Sequence, residues 1–145
     1  LRTLQGKMKN YWDGGVCAVD VRDVAAGHVL AMEKGRIGES YILANKAGNM
    51  TNKEMLTLIG KVAGVADVAK TEVSGTTMLR VAKLVEMWSK LSGRAPMTTY
   101  KNTRYVLQHG YVDPTKAIEE LGLPQTPIET AITDSVKWFR DNGYV

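Results

Sequence analysis

Hydrophobic positions recur with a helical period over most of the chain. From Asp23 to about Lys34 the apolar residues Val24, Ala25, Val29 and Met32, with Val21 before them, predict one stripe, and Gly35 ends the helix. Thr51-Asn52-Lys53-Glu54 reads as a capping box opening a second helix, with Met50 and Met55 placed as a hydrophobic staple. Met55, Leu56, Ile59, Val62 and Ala63 form its stripe, and Gly64 is its stop. A long helix follows from about Thr76 to Leu91, with Met78, Val81, Ala82, Val85 and Trp88 assigned to one face and Gly93 and Pro96 ending it. A further helix is expected over Met97–Gln108, capped by Thr98 or Thr99. Asp113-Pro114 starts a short one that Gly122 and Pro124 close. Thr126-Pro127-Ile128-Glu129 reads as a second capping box, with Ile128, Ala131, Ile132, Val136 and Phe139 facing inward.

Two short runs break this pattern. Val16 to Val21 and Ser40 to Ala44 are nearly all apolar, as in strands buried on both faces. A third short strand fits the end of the connector from Val65 to Val73. An isolated pair of strands is marginally stable, and an unpaired apolar edge invites another chain. The simplest resolution is a sheet whose other strands lie upstream of Leu1, and the start Leu1-Arg2-Thr3, without an initiator methionine, fits that expectation. The edges also leave room for association between copies. Ser40 to Ala44 is therefore expected to lack full ladder pairing within its own chain.

Composition narrows the reading. The 145 residues, 44% hydrophobic and 23% charged, fit one globular domain, here residues 1–145. No apolar run is long enough to cross a bilayer, so no membrane partner is expected. The net charge of +4 is spread in single residues rather than blocks, which argues against a nucleic-acid arm. The single cysteine, Cys17, forms no intrachain disulfide and builds no zinc site alone, and a cytoplasmic location fits. His28 and His109 lack ligand partners at metal-binding spacing, so no metal is expected.

Three segments carry a resemblance. They are Val19-Asp20-Val21-Arg22-Asp23-Val24-Ala25 with Gly27-His28-Val29-Leu30-Ala31, then Glu39-Ser40-Tyr41-Ile42-Leu43 with the Thr51 to Glu54 box, and Asp113-Pro114-Thr115-Lys116-Ala117 with Glu120-Leu121-Gly122 and the ending Trp138-Phe139, Asn142-Gly143. In this order they resemble the extended short-chain dehydrogenases/reductases, also called NAD-dependent epimerases/dehydratases, and most of all their dihydroflavonol reductase-like members. The resemblance implies an α/β, helix-rich fold: the C-terminal, substrate-side portion of an NAD(P)-binding Rossmann protein, with two or three short strands and about six helices. It implies an NAD(P)-dependent oxidoreductase acting on a carbonyl or sugar-like small molecule. Nucleotide-sugar epimerisation or dehydration is the alternative, and a non-catalytic dinucleotide sensor or interaction protein is an alternative of another class.

The family's chemistry rests on a glycine-rich turn that cradles the pyrophosphate of NAD or NADP, and on a tyrosine with a lysine four residues later as acid/base. Neither spacing occurs here: no Gly-x-Gly exists, and the residues four after Tyr11, Tyr41, Tyr100, Tyr105 and Tyr111 are Gly15, Asn45, Arg104, His109 and Thr115. Catalytic and cofactor-binding residues are accordingly expected outside this chain, in an N-terminal dinucleotide-binding domain, and the chain alone is expected to be inactive.

The resemblance marks Tyr11 and Trp12 as bordering the substrate cleft, where aromatic rings stack on a flat or sugar-like ligand; covering the core is the competing role. It marks Arg104 and Tyr105 as lying where sugar-nucleotide members hold a phosphate with arginine, although the spacing to Asp113 is off by about a residue. Asp23 is expected to cap its helix. Asp20 and Arg22 alternate with Val19 and Val21 and are expected either at the surface or paired with a segment outside the chain. Cys17, in an apolar strand, is expected to be inert.

Overall fold

The computed structural model describes residues 1–145. Six helices form in chain order: α1 (Val21–Lys34), α2 (Asn52–Ala63), α3 (Gly75–Ser92), α4 (Tyr100–Val106), α5 (Thr115–Leu121) and α6 (Ile128–Asp141). Four very short strands accompany them: β1 (Asn10–Tyr11), β2 (Gly15–Cys17), β3 (Asn49–Thr51) and β4 (Thr71–Glu72). β1 lies parallel to β4, and β2 antiparallel to β3 with Val16 opposite Met50. The helices pack as pairs, α1 on α5, α2 on α6 and α3 on α4. The helix-rich α/β character that the resemblance implies is the one observed.

The start of α1 differs from the expected one. Asp20 is the cap: its Oδ1 accepts the Arg22 N–H at 2.8 Å, so the helix opens at Val21. Arg22 also clamps both Asp20 oxygens and reaches Asp134 of α6 at 2.7 Å, so the pair is closed within the chain. Asp23 lies inside the first turn, buried, and its carboxylate accepts the Thr126 N–H at 2.6 Å and the Thr126 hydroxyl at 2.7 Å. Thr126 is thereby withdrawn from α6, which starts at Ile128 with Pro127 at the cap and no side-chain cap bond. The expected capping box at Thr126–Glu129 is absent for this reason. Asp113 does bond the Thr115 N–H at 3.0 Å, but Pro114 stands at the cap rather than in the first turn of α5.

The α1 stripe also rotates. Its buried face is Asp23 and Gly27, with Leu30 and Ala31 packed on the core of Ala117, Leu121 and Leu123, while Val21, Val29 and Met32 are exposed. Gly27 lets this packing be close, since a Cβ there would meet a Leu123 methyl at 2.7 Å and a Leu43 methyl at 2.8 Å and both leucines would have to shift. The α2 capping box forms as expected, with Glu54 N–H on the Thr51 hydroxyl at 3.2 Å and Glu54 accepting the Thr51 N–H at 2.7 Å. α4 is shorter than expected: Thr99 caps it, so it begins at Tyr100 and ends at Val106.

The run Val16–Val21 is a strand only as far as Cys17, after which Ala18 turns to bond Gly48. The run Ser40–Ala44 joins no ladder, and none of its backbone groups makes a backbone hydrogen bond. Side-chain bonds hold it instead, and they tie it to α5 and the turn after it. Lys116 donates to Glu39 at 2.6 Å and to the Ser40 carbonyl at 3.0 Å. Glu120 accepts the Tyr41 hydroxyl at 2.7 Å and a two-pronged bond from Arg36. Gln125 donates to the Ala44 carbonyl, and buried Asn45 donates to the Thr126 carbonyl at 2.8 Å.

Replacing Asp23 by Ala leaves the Thr126 N–H and hydroxyl without their acceptor, and destabilisation of about 2–3 kcal/mol is expected in urea unfolding; a change inside the error of the midpoint would contradict the anchoring role. Asp20 gives a pH signature. Hydrogen bonding from Arg22 lowers its pKa from 3.8 to about 2. Between those values the unfolded chain binds more protons than the folded one, so this stabilisation is complete above pH 3.8 and is lost as pH falls toward 2. Asp20→Asn is expected to flatten the fall in urea midpoint across that window, and an unchanged slope would exclude Asp20 as its source.

Candidate substrate cleft

The Asp13-Gly14-Gly15 turn is the point where several elements meet. The Gly14 carbonyl accepts the Asn52 N–H at the start of α2, and the Gly15 N–H bonds the Gln108 carbonyl beyond α4. Neither position admits a side chain without rearrangement. A Cβ on Gly14 would lie 2.7 Å from the Val106 carbonyl and 2.8 Å from the Asn52 amide, and one on Gly15 would run into the Tyr111 ring. The turn therefore brings β2, the N-terminus of α2 and the C-terminal end of α4 together, and a cleft of about 540 Å³ opens between them and the unpaired run.

Apolar residues wall the cleft, among them Val16, Ile42, Leu43 and Val106. A few residues with polar side chains also line it: Trp12, Asn52, Tyr105, Gln108 and His109. The Trp12 indole N–H donates to the Val106 carbonyl at 3.0 Å, which fixes the ring against the end of α4. His109 stacks edge-on to Tyr111 with ring centres 5.3 Å apart, and its Nε2 lies 3.5 Å from the Asp13 carboxylate. This combination, apolar walls with a small number of polar residues, suits a small organic molecule. A second groove of about 280 Å³ between α2 and α6 is lined almost wholly by apolar side chains, with only Thr3 and Ser135 polar, and so offers little to orient a ligand.

Of the four residues singled out in the sequence, the fold brings Trp12 and Tyr105 to the same cleft although they are far apart in the chain. Tyr11 points elsewhere, as strand alternation requires of its neighbour. Its hydroxyl donates to Glu72 of β4 at 3.3 Å, and Lys53 lies 5.2 Å from its ring centre. Arg104 is exposed on α4, does not line the cleft and makes no ion pair. Asn52, Gln108 and His109 were not marked beforehand: Asn52 reads locally as part of a capping box, and nothing near residue 108 in sequence marks its proximity to β2. No group of three or more His, Cys, Asp or Glu side chains is arranged to hold a metal.

The electrostatics on the far side of the run secure its position. The Tyr41 hydroxyl, with Arg36, holds the Glu120 carboxyl below its ordinary range, and Lys116 does the same for Glu39. Lys116 also lies 4.6 Å from the Tyr41 ring centre. The run is thus held from one side, with Ile42 exposed.

No protein-family profile matches the chain. Individual proteins do. Over its whole length the chain is 36% identical to a putative dihydroflavonol 4-reductase of Synechocystis sp., of which it spans 43%. It superposes on the crystal structure of gox2253 with a TM-score of 0.78 at 32% identity, covering 99% of this chain and 42% of that one. These relatives are the reductase and epimerase kinds of protein that the sequence resemblance implies. A further structural relative is PA4631, a nucleoside-diphosphate-sugar epimerase from Pseudomonas aeruginosa, with a TM-score of 0.72 at 26% identity over 99% of this chain and 41% of that one. In each case the chain spans less than half the length of the relative.

Hydrogen exchange reads the unpaired run directly. In this chain the amides of Tyr41, Ile42 and Leu43 are expected to exchange far faster than those inside α2, because no carbonyl accepts them. Protection equal to that of α2 would mean that a ladder forms there.

Proposed function

We propose that this chain is the C-terminal, substrate-side portion of an NAD(P)-dependent oxidoreductase of the dihydroflavonol reductase-like kind, reducing a carbonyl on a small molecule. The observation that carries the reading is the Ser40–Ala44 run, apolar and held from one side only, beside a cleft that holds Trp12 and Tyr105. Such a run is what the edge of a larger sheet leaves when its neighbour is a separate stretch of chain. The exposed surface supports this. The chain exposes 9684 Å², whereas a self-contained monomer of its mass exposes about 7,300 Å². Part of the exposed surface is apolar and lies at the run: Val16 on β2 and Ile42 itself.

The residues here do not fit the pyrophosphate of a dinucleotide. That group needs a helix N-terminus with free N–H groups and close backbone approach. At α1 the Asp20 carboxylate occupies that position, with Asp23 behind it, and at α2 the Thr51–Glu54 box does. NAD(P), which supplies the hydride when bound, is therefore assigned to an upstream domain, as is the acid/base pair. The part played by this chain is recognition. Trp12, held by Val106, and Tyr105 present aromatic faces to a flat substrate, and Asn52, Gln108 and His109 offer polar contacts at the wall. No helix is long and apolar enough to cross a membrane, and Cys17 is a free thiol; a cytoplasmic location accords with both.

A second reading, epimerisation or dehydration of a nucleotide sugar, is favoured by one feature. Arg104 carries no counter-ion and adjoins Tyr105, as a phosphate-binding arginine at the rim would. The likeness to PA4631, which is named an epimerase of that substrate class, supports the same reading.

Calorimetric titration with NADPH tests the main proposal. The full-length protein is expected to bind it in the micromolar range, and residues 1–145 alone to show no saturable binding below about 1 mM. Micromolar binding by these residues alone would overturn it. In the full-length enzyme, Trp12→Ala or Tyr105→Ala is expected to raise KM about tenfold with a smaller change in kcat; unchanged KM in both would remove these two residues from the cleft's function.

A further inference from the structure

α3 carries two apolar faces where the sequence pattern reads as one. Ala82 is fully buried, with Met78 and Val85 half-buried beside it on the face toward α4. Val81, Leu84, Met87, Trp88 and Leu91 are exposed, and their spacing puts them in one continuous band. Trp88 is 70% and Leu91 78% exposed. Met97, just beyond the helix, is fully exposed. A band of this size on a folded surface marks an interaction site.

Charge selects the partner. Residues 75–106 hold six of the chain's 19 lysines and arginines, namely Arg80, Lys83, Lys90, Arg94, Lys101 and Arg104, but only one of its 15 acids, Glu86. The net positive charge of the chain thus resides in this unit, and the remainder is slightly acidic. Glu86 is itself occupied, accepting the Tyr100 N–H at 3.0 Å between the two helices. None of the six cations has an ion-pair partner, whereas all eight ion pairs of the structure lie elsewhere.

We propose that the α3–α4 unit docks on the surface of an anionic phospholipid bilayer, with Leu84, Trp88 and Leu91 entering the headgroup–acyl boundary. A helix in the plane of the interface needs an aliphatic band with a tryptophan, and unpaired cations alongside to meet lipid phosphates. Both are present. A second copy of the chain is a poorer occupant, because a two-fold contact through this face would set each Arg80 and Lys90 against their counterparts. The exposed Val21 and Met32 of α1 differ, because the cations near them, Arg22 and Arg36, are already paired within the chain. The expectation of no membrane partner rested on the absence of a spanning run, a test that a surface helix escapes. The proposal stands whether or not the oxidoreductase reading holds.

Vesicle co-sedimentation tests it, on the full-length protein and on residues 1–145. Binding to vesicles of phosphatidylglycerol and phosphatidylcholine is expected to exceed binding to phosphatidylcholine alone by about tenfold, and to fall in high salt. Leu84→Glu with Trp88→Glu, and separately Arg80→Glu with Lys90→Glu, are each expected to lower it about tenfold or more. All four positions are exposed, and circular dichroism checks that the helices persist; Trp88→Phe is expected to retain binding. Equal binding to both vesicle types, no binding by the full-length protein, or indifference to both double substitutions would overturn the proposal. So would a dimer in sedimentation velocity that Leu84→Glu with Trp88→Glu dissolves.

Discussion

The buried carboxylate of Asp23 is the constraint on which the arrangement rests. It accepts both the N–H and the hydroxyl of Thr126, 103 residues along the chain, at 2.6 and 2.7 Å. A carboxylate that deep is stable only with such partners. Fixing Thr126 also fixes Gln125 beside it, and these two residues hold Ala44, Asn45 and Lys46 through the Ala44 carbonyl, the Asn45 amide and the Lys46 N–H. The unpaired run is positioned by this chain of bonds, and one wall of the cleft with it. The cleft is therefore a consequence of α1 being joined to the α5–α6 turn.

What was legible in the sequence was local. The Thr51–Glu54 box is complete within four residues and formed as read. The two aspartates at the start of α1 show the limit of that logic. Either Asp20 or Asp23 satisfies the local rule for a cap, and only the approach of Thr126 decides that Asp23 is spent on a distant contact while Asp20 caps. Thr126 fails as a cap for the same reason. Trp12 and Tyr105 were picked out by resemblance, but that they share a cleft, and that Tyr11 and Arg104 do not, follows from strand alternation at β1 and from the Val106 carbonyl that receives the indole. The two faces of α3 read as one stripe because Val81 and Val85, or Val85 and Trp88, lie four and three residues apart, and solvent exposure alone separates them.

The same reasoning sorts the exposed apolar surface into two kinds. At Ile42 it accompanies backbone without a ladder partner, and at Val21 it adjoins paired charges, Arg22 with Asp20 and Asp134. Main chain without a ladder beside neutralised side chains suits a protein partner, since a neighbouring strand can supply the whole row of missing backbone hydrogen bonds. On α3 the situation is reversed. The backbone is fully engaged in a helix, and what lacks a partner is side-chain charge together with aliphatic area. That demand is met by a surface with phosphate on the outside and hydrocarbon beneath. The two faces thus require different chemistries of their neighbours, and a single partner covering both would leave one of the two sets unsatisfied.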